Sequence, residues 1–266
     1  MKDSKLTRRS AVKAIAASAF AFNIVPRHVL GGPGYTPPSE ILTRGVIGVG
    51  GMGGNHLGYK GSKIIAVCDV NQQRVENAVK RMGKDCTGYS DFRELIARPD
   101  IDIVSVVTPP HWHGLMAIAA AEAGKDVWCE KPVTRTIGEG KALIEACRRN
   151  STILRVNTWY RVEAQRGFYG FGAGAKEAKK LVNSGMLGWP LKVTVSKHTG
   201  FDWKLSLWNG KFDNKVEAVP KGFDYDMWLG PAPERPYTRH HTSKSFRGYW
   251  DYDGGGLGDM AMHYLD

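Results

Sequence analysis

The stretch GVIGVGGMG, residues 45–53, constrains this chain more than any other. A short apolar run ends at Val49 and passes at once into the pattern G-x-G-x-x-G, formed by Gly48, Gly50 and Gly53 with Gly51 and Met52 between them. A glycine-rich turn alone is common. Here a second apolar run, Lys63–Cys68 (KIIAVC), follows, and Asp69 closes it 21 positions after Gly48. Strand, glycine turn, helix, strand and acidic residue at that spacing make a dinucleotide fingerprint. Gly48 permits the tight turn, Gly50 lets backbone N–H groups approach a pyrophosphate, and Gly53 lets helix and strand pack closely. The helix that opens there turns its N-terminus toward the phosphates. Asp69 can accept from a ribose 2′-hydroxyl and would repel a 2′-phosphate, so NAD is the expected cofactor. Arg74 is near enough to soften that preference, which leaves NADP open.

The same alternation continues to about residue 157. Asn71–Met82 has helical spacing, with Val75, Ala78, Val79 and Met82 on one side. Asp91 can cap a short helix that ends at Pro99. Ile101–Val107 is the most strand-like run, His113–Ala123 an Ala-rich helix closed by Gly124, Asp126–Cys129 a strand, Ile137–Arg149 a helix and Ile153–Val156 a last strand. Short, continuously apolar strands between helices predict an α/β fold, a doubly wound parallel sheet covered on both faces over 44–157. Beyond, Lys176–Asn183 reads as a helix, Leu191–His198 alternates with period two as a half-wet strand, and Tyr225–Leu229 is a short helix. Residues 158–266 are therefore expected to form a second α/β layer with a mostly antiparallel or mixed sheet.

The formal charge of +11 invites a nucleic-acid reading, and its location removes much of that reason. Lys2, Lys5, Arg8, Arg9, Lys13 and Arg27 against Asp3 put a net +5 in residues 1–30, leaving +6 for the rest. No recognition motif accompanies the short basic clusters Lys176/Lys179/Lys180 and Arg239-His240-His241, and no nucleic-acid partner is expected. The basic start is followed by an apolar run, Ala14–Val25, too short for the roughly 20 residues of a membrane span. Thr7-Arg8-Arg9-Ser10-Ala11-Val12-Lys13 resembles a twin-arginine export motif, with Ala11 and Val12 where bulkier residues are usual. The expectation is an exported, periplasmic protein that engages the twin-arginine machinery, tethered to the membrane if the segment is retained. Residues 31–43, rich in Gly and Pro, read as a linker. Cys68, Cys86, Cys129 and Cys147 have no metal-ligand spacing and are expected as free thiols.

Two further motifs carry chemistry. The strand ending at Cys129 runs into Glu130-Lys131-Pro132, at a strand's C-terminal end, which in such a sheet opens on the ligand crevice. A partly desolvated lysine there has a lowered pKa and can trade protons with a hydroxyl or carbonyl. If a helix starts near Gly258, Asp259 and His263 stand at i and i+4 on one face. A carboxylate beside an imidazole fixes its tautomer and raises its basicity. His111-Trp112-His113 has the H-x-H form of some metal sites, but the dinucleotide context argues against it and no metal is expected.

These motifs together resemble the Gfo/Idh/MocA oxidoreductases. The likeness covers residues 43–266 and rests on GVIGVGGMG, AVCDV, VVTPPHWH, CEKPV, WLGPAP and GGGLGDMAMHYLD, in family order. It implies a Rossmann domain, a second domain with a large open sheet, and hydride transfer between a sugar or polyol C–H and a nicotinamide. Lys131 matches the lysine that binds and polarises the reacting hydroxyl; Asp259 and His263 match the D-x-x-x-H pair, with His263 as general base or acid. Pro109 to His113 match the loop beside the nicotinamide, although Pro110 and His111 replace the usual Asn or Asp. Arg161 matches a polar position bordering the substrate. The expected cofactor contacts are thus Gly48, Gly50, Gly51, Met52, Gly53, Asp69, Arg74, Thr108, Pro109, His113, Glu130 and Lys131. Those to substrate are Lys131, Arg161, Asp259 and His263. Some exported relatives oxidise a sugar transiently, eliminate a glycosidic substituent and reduce again, so a glycosidase or lyase without net redox change is the alternative. The resemblance further implies a homo-oligomer and more chain after Asp266, so that these 266 residues alone are expected to be poorly stable and inactive.

Overall fold

The computed structural model describes residues 36–158, 172–192, 194 and 215–265. The chain divides into two compact units, residues 1–41 and 42–266. In the first, the described residues hold one 3-10 turn, Pro38–Glu40. The second holds all the elements that follow.

Six strands form one sheet: β1 (Thr43–Ile47), β2 (Lys63–Cys68), β3 (Thr87–Tyr89), β4 (Ile103–Val106), β5 (Asp126–Glu130) and β6 (Leu154–Asn157). All neighbours pair in parallel, in the order β3-β2-β1-β4-β5-β6. This is the doubly wound arrangement, with its switch point between β1 and β4. The connecting helices are α1 (Gly51–His56), α2 (Gln72–Met82), α3 (Phe92–Ile96), α4 (His113–Glu122) and α5 (Ile137–Asn150). Their starts are written locally. The Asn71 side chain accepts from Arg74 N, Asp91 from Arg93 N, and Thr136 and Glu139 form a reciprocal capping box.

Side-chain alternation along the strands loads both faces. Ile47, Cys68, Val104, Val106, Val127 and Cys129 pack with Leu95, Met116, Ala120 and Leu143 on one side. Val46 and Val67 face the other way, onto Leu57 and Ala78. The continuous apolar runs follow from that double burial. All four cysteines are free and buried.

Several boundaries differ from expectation. α1 is short, ending at His56 where the chain turns at Leu57-Gly58. β3 carries no sequence period and exists through its pairing with Ala66–Cys68. Past residue 158 come α6 (Gly172–Asn183), beginning four residues before the expected Lys176, α7 (Tyr225–Leu229), α8 (Arg239–Thr242), a 3-10 helix at Lys244–Gly248, a π-helical turn at Leu257–Ala261 and α9 (Met262–Leu265). The open sheet expected there has no counterpart among the described residues; the strand expected at 191–198 falls mostly outside them. What the described part of this region does form is an aromatic core of Tyr225, Trp228, Tyr237, Tyr249 and Tyr252. One antiparallel bridge, Asn71 to Phe223, ties it to the end of β2. No helix among the described residues is long and apolar enough to cross a membrane.

Candidate active site

The glycine turn behaves as its spacing demands. Gly48 has φ +85°, and a Cβ there would come within 2.7 Å of the Val107 carbonyl oxygen. A Cβ at Gly53 would overlap the Gly48 carbonyl oxygen, so only glycine lets α1 start this close to β1. Asp69, buried after β2, is pinned by two amides: Oδ2 accepts from Val49 N at 2.9 Å and Oδ1 from Asn71 N at 3.0 Å. Arg74 Nη1 lies 3.8 Å from Oδ1. Burial pushes this carboxyl above its ordinary value, against the pull of Arg74 and the two amides. Each oxygen keeps a lone pair for a ribose hydroxyl.

At the end of β5, Glu130 is also buried and fully engaged. It accepts from Asn157 Nδ2 at 2.6 Å, from the Lys131 amide at 3.2 Å, and meets His56 Nε2 at 3.0 Å. Burial alone would raise its pKa; the His56 hydrogen bond and charge, Asn157 and Lys131 outweigh burial and hold it below its ordinary value. Glu130 thereby links the last residue of α1 to the loop that carries Lys131.

Lys131 itself is paired. Its Nζ donates to Asp259 Oδ1, and Arg247 Nε donates to Oδ2 of the same carboxylate at 3.0 Å. The Lys131 and Asp259 side chains are 9% and 3% exposed. Asp259 sits in the π-helical turn, so Asp259 and His263 span a wider winding than the regular helix the i, i+4 spacing suggested. His263 is buried and lines the same cavity as Lys131 and Asp259.

That cavity has a volume of about 630 Å³. Gly48, Gly50, Gly51, Met52, Asp69 and Arg74 line one part; Thr108, Pro109, His113 and Glu130 also border it. The structure thus brings the expected cofactor residues and the expected catalytic residues to one space. Gly53 lies beneath it as a packing position, and Arg161 falls outside the described residues. The residues present fit a dinucleotide. Gly51 leaves the start of α1 bare of side chain, with nothing within 4 Å of where a Cβ would stand, and Asp69 lines the same cavity.

The HWH tripeptide is structural in its contacts. His113 Nδ1 lies 2.6 Å from Pro132 O and Nε2 2.7 Å from Thr108 O, so one ring spans two cavity loops. His111 Nε2 donates to Trp228 O at 2.9 Å, and Trp112 Nε1 donates to Met227 O at 3.0 Å. These bonds seat α7, whose Met227 and Trp228 wall the cavity. Burial pushes His111 down to about 4. Among the described residues no three His, Cys, Asp or Glu side chains gather as a metal site.

Sequence reasoning missed Arg247 and Asp253, both of which line the cavity. The only signal was a run of charged residues set among aromatics, FRGYWDYD, without a recognisable spacing.

Comparison with known proteins supplies independent findings. Residues 42–158 match the Gfo/Idh/MocA oxidoreductase family's NAD-binding Rossmann fold, and residues 171–266 match its C-terminal α/β domain. An inositol 2-dehydrogenase of Salmonella typhimurium is 30% identical over 158 residues, 57% of this chain and 44% of that protein. A levoglucosan dehydrogenase of Pseudarthrobacter phenanthrenivorans is 36% identical over 132 residues, 45% of this chain and 34% of the relative. An alpha-N-acetylgalactosaminidase of Shewanella oneidensis is 34% identical over 150 residues, 51% and 33% respectively. The chain spans less than half the length of each of these relatives.

Proposed function

The chain belongs to the Gfo/Idh/MocA oxidoreductase family and carries its NAD-binding Rossmann fold, and from that premise we propose that it oxidises or reduces a sugar, polyol or glycoside at a C–OH carbon. The observation that carries this reading is the shared cavity, which Lys131, Asp259 and His263 line together with the glycine turn and Asp69. The inositol and levoglucosan dehydrogenases among its relatives support the substrate class. NADP stays open beside NAD, because Arg74 borders the Asp69 carboxylate.

When bound, the nicotinamide supplies the hydride acceptor or donor. The chain's own residues do the rest. Lys131 holds the reacting oxygen and stabilises the alkoxide charge that develops on it. His263 takes the hydroxyl proton in oxidation and returns it in reduction. Asp259, between Lys131 and Arg247, holds the lysine in place. Thr108, Pro109 and His113 shape the wall on which the nicotinamide would rest.

The α-N-acetylgalactosaminidase relative favours a second reading: transient oxidation, elimination and re-reduction of a glycoside without net redox change. A spectrum of the purified protein for bound NAD(H), followed by a sugar and glycoside screen, tests both. Glycoside turnover without added NAD selects the second; turnover that consumes NAD selects the first; neither removes the proposed activity.

Residues 1–30 form an export signal of the twin-arginine type in this reading, which places the protein in the periplasm, as a homo-oligomer. The support is the pair Arg8-Arg9 before a short apolar run. A reporter fusion still exported after both arginines are changed to Lys overturns it.

A further inference from the structure

The charges at the reacting end of the cavity are unevenly matched. Lys131 and Arg247 both direct their cations at one carboxylate, that of Asp259. Asp253 lines the same cavity and is only 6% exposed, yet its Oδ2 has no hydrogen-bond partner among the described residues. Its backbone is fixed on both sides: the amide donates to Tyr249 O at 3.2 Å, and the carbonyl accepts from Arg135 Nε at 3.3 Å. The backbone of Asp253 is therefore held in place, while no described residue gives its Oδ2 a donor. A buried acceptor left this way is destabilising, and such groups call for an explanation.

We infer that Asp253 is a specificity-determining residue. Its buried carboxylate at the cavity wall rejects carboxylate or phosphate groups, so the site takes an uncharged, hydroxyl-rich sugar or polyol. This inference rests on the reading that the cavity binds a sugar or polyol. A neutral hydroxyl adds no charge beside that carboxylate. A uronate or sugar phosphate would instead bring another negative charge beside Asp253, while Asp259 already occupies both nearby cations. Like charges in a buried site are weakly screened. The groups that bear on Asp253 are Asp259, Arg247, Lys131 and the Gly254 amide. Burial first, and the Asp259 charge second, push its carboxyl up to about 6. Rejection of anions is therefore fullest above that pH and weakens as Asp253 gains its proton below it.

The test uses the NADH-loaded full chain, with NADH binding measured first. Dissociation constants are then measured for glucose, glucuronate and a glucose phosphate, and for myo-inositol and an inositol phosphate, in the unsubstituted protein and in Asp253→Asn. Above pH 6 the neutral compound of at least one set should bind at least about tenfold more tightly than its anions. That ratio should collapse in Asp253→Asn, and should shrink in the unsubstituted protein well below pH 6. Asp253→Asn should also melt no lower than the unsubstituted protein, because it removes an unsatisfied buried charge; a purely structural carboxylate would be missed. Equal or tighter binding of the anions overturns the inference. So do an unchanged ratio in Asp253→Asn, a lowered melting temperature, or NADH binding with no neutral compound bound. Failure to bind NADH at all overturns the underlying dinucleotide reading instead, and this inference with it.

Discussion

Lys131 and Asp259 stand 128 positions apart in the chain and meet in a buried ion pair. The lysine comes from the end of a parallel strand; the carboxylate comes from a π-helical turn beyond residue 250. Burying two charges is costly unless each is fully hydrogen-bonded. Arg247 at 3.0 Å answers the second Asp259 oxygen and makes the pair tenable. The pair also joins the sheet that would hold the cofactor to the segment that carries His263.

Removing Lys131 or His263 should therefore separate chemistry from cofactor binding. Lys131→Met and His263→Ala are each expected to lower turnover by about two orders of magnitude or more, the scale of general acid–base catalysis. Neither touches the glycine turn or Asp69, so NADH affinity should change far less. Steady-state rates beside fluorescence titration with NADH check this; unchanged turnover removes the residue from the mechanism.

Glu130→Gln should weaken the fold rather than contact the substrate directly. Glu130 is ionised in the fold, held below its ordinary pKa by His56, Asn157 and Lys131 against burial. A depressed carboxyl contributes stability that is present above its unfolded pKa, about 4.3, and lost as pH falls through its folded value. The substitution should cost on the order of 2 kcal/mol near neutrality, the worth of hydrogen bonds to a charged group. The difference should fade in acid. Denaturant unfolding of both proteins across pH measures it.

His111 gives a second acid-sensitive window with a different cause. Burial pushes it down to about 4, against about 6.5 when unfolded. Between those values the unfolded chain binds the extra proton, so stability falls as pH falls from about 6.5 to 4. The loss from this one group is on the order of 3 kcal/mol. In His111→Gln, which can still donate toward Trp228 O, the slope over that window should be shallower. Identical slopes would show that His111 titrates normally.

Gly53→Ala should damage the fold at the cofactor turn. The new methyl would overlap the Gly48 carbonyl oxygen, which is backbone and cannot step aside. A loss on the order of 2 kcal/mol, with weakened NADH binding, follows from the forced separation of α1 and β1. Melting curves with and without NADH resolve both effects.

Much of this was legible in the sequence, for reasons particular residues show. Val46/Ile47 and Val67/Cys68 bury on opposite faces, so their strands read as unbroken apolar runs. Asp91 sits where a cap is needed and caps. β3 was not legible because Thr87-Gly88-Tyr89 has no period, and Gly88 is there to pass beneath Val75 and Val79. Arg247 and Asp253 were not legible because their role arises only when residues 247–259 fold back over the end of β5. The aromatic residues after 220 looked patternless because short helices and turns, not one periodic element, gather them around His241.

The proposed chemistry is hydride transfer between a substrate carbon and the nicotinamide in this cavity. The most direct measurement incubates the NAD-loaded full chain with sugars, polyols and glycosides deuterated at their carbinol carbons, then weighs the cofactor by mass spectrometry. Deuterium should appear on the nicotinamide from at least one uncharged substrate and be lost in Lys131→Met. NAD bound tightly and never labelled by any of them would contradict it.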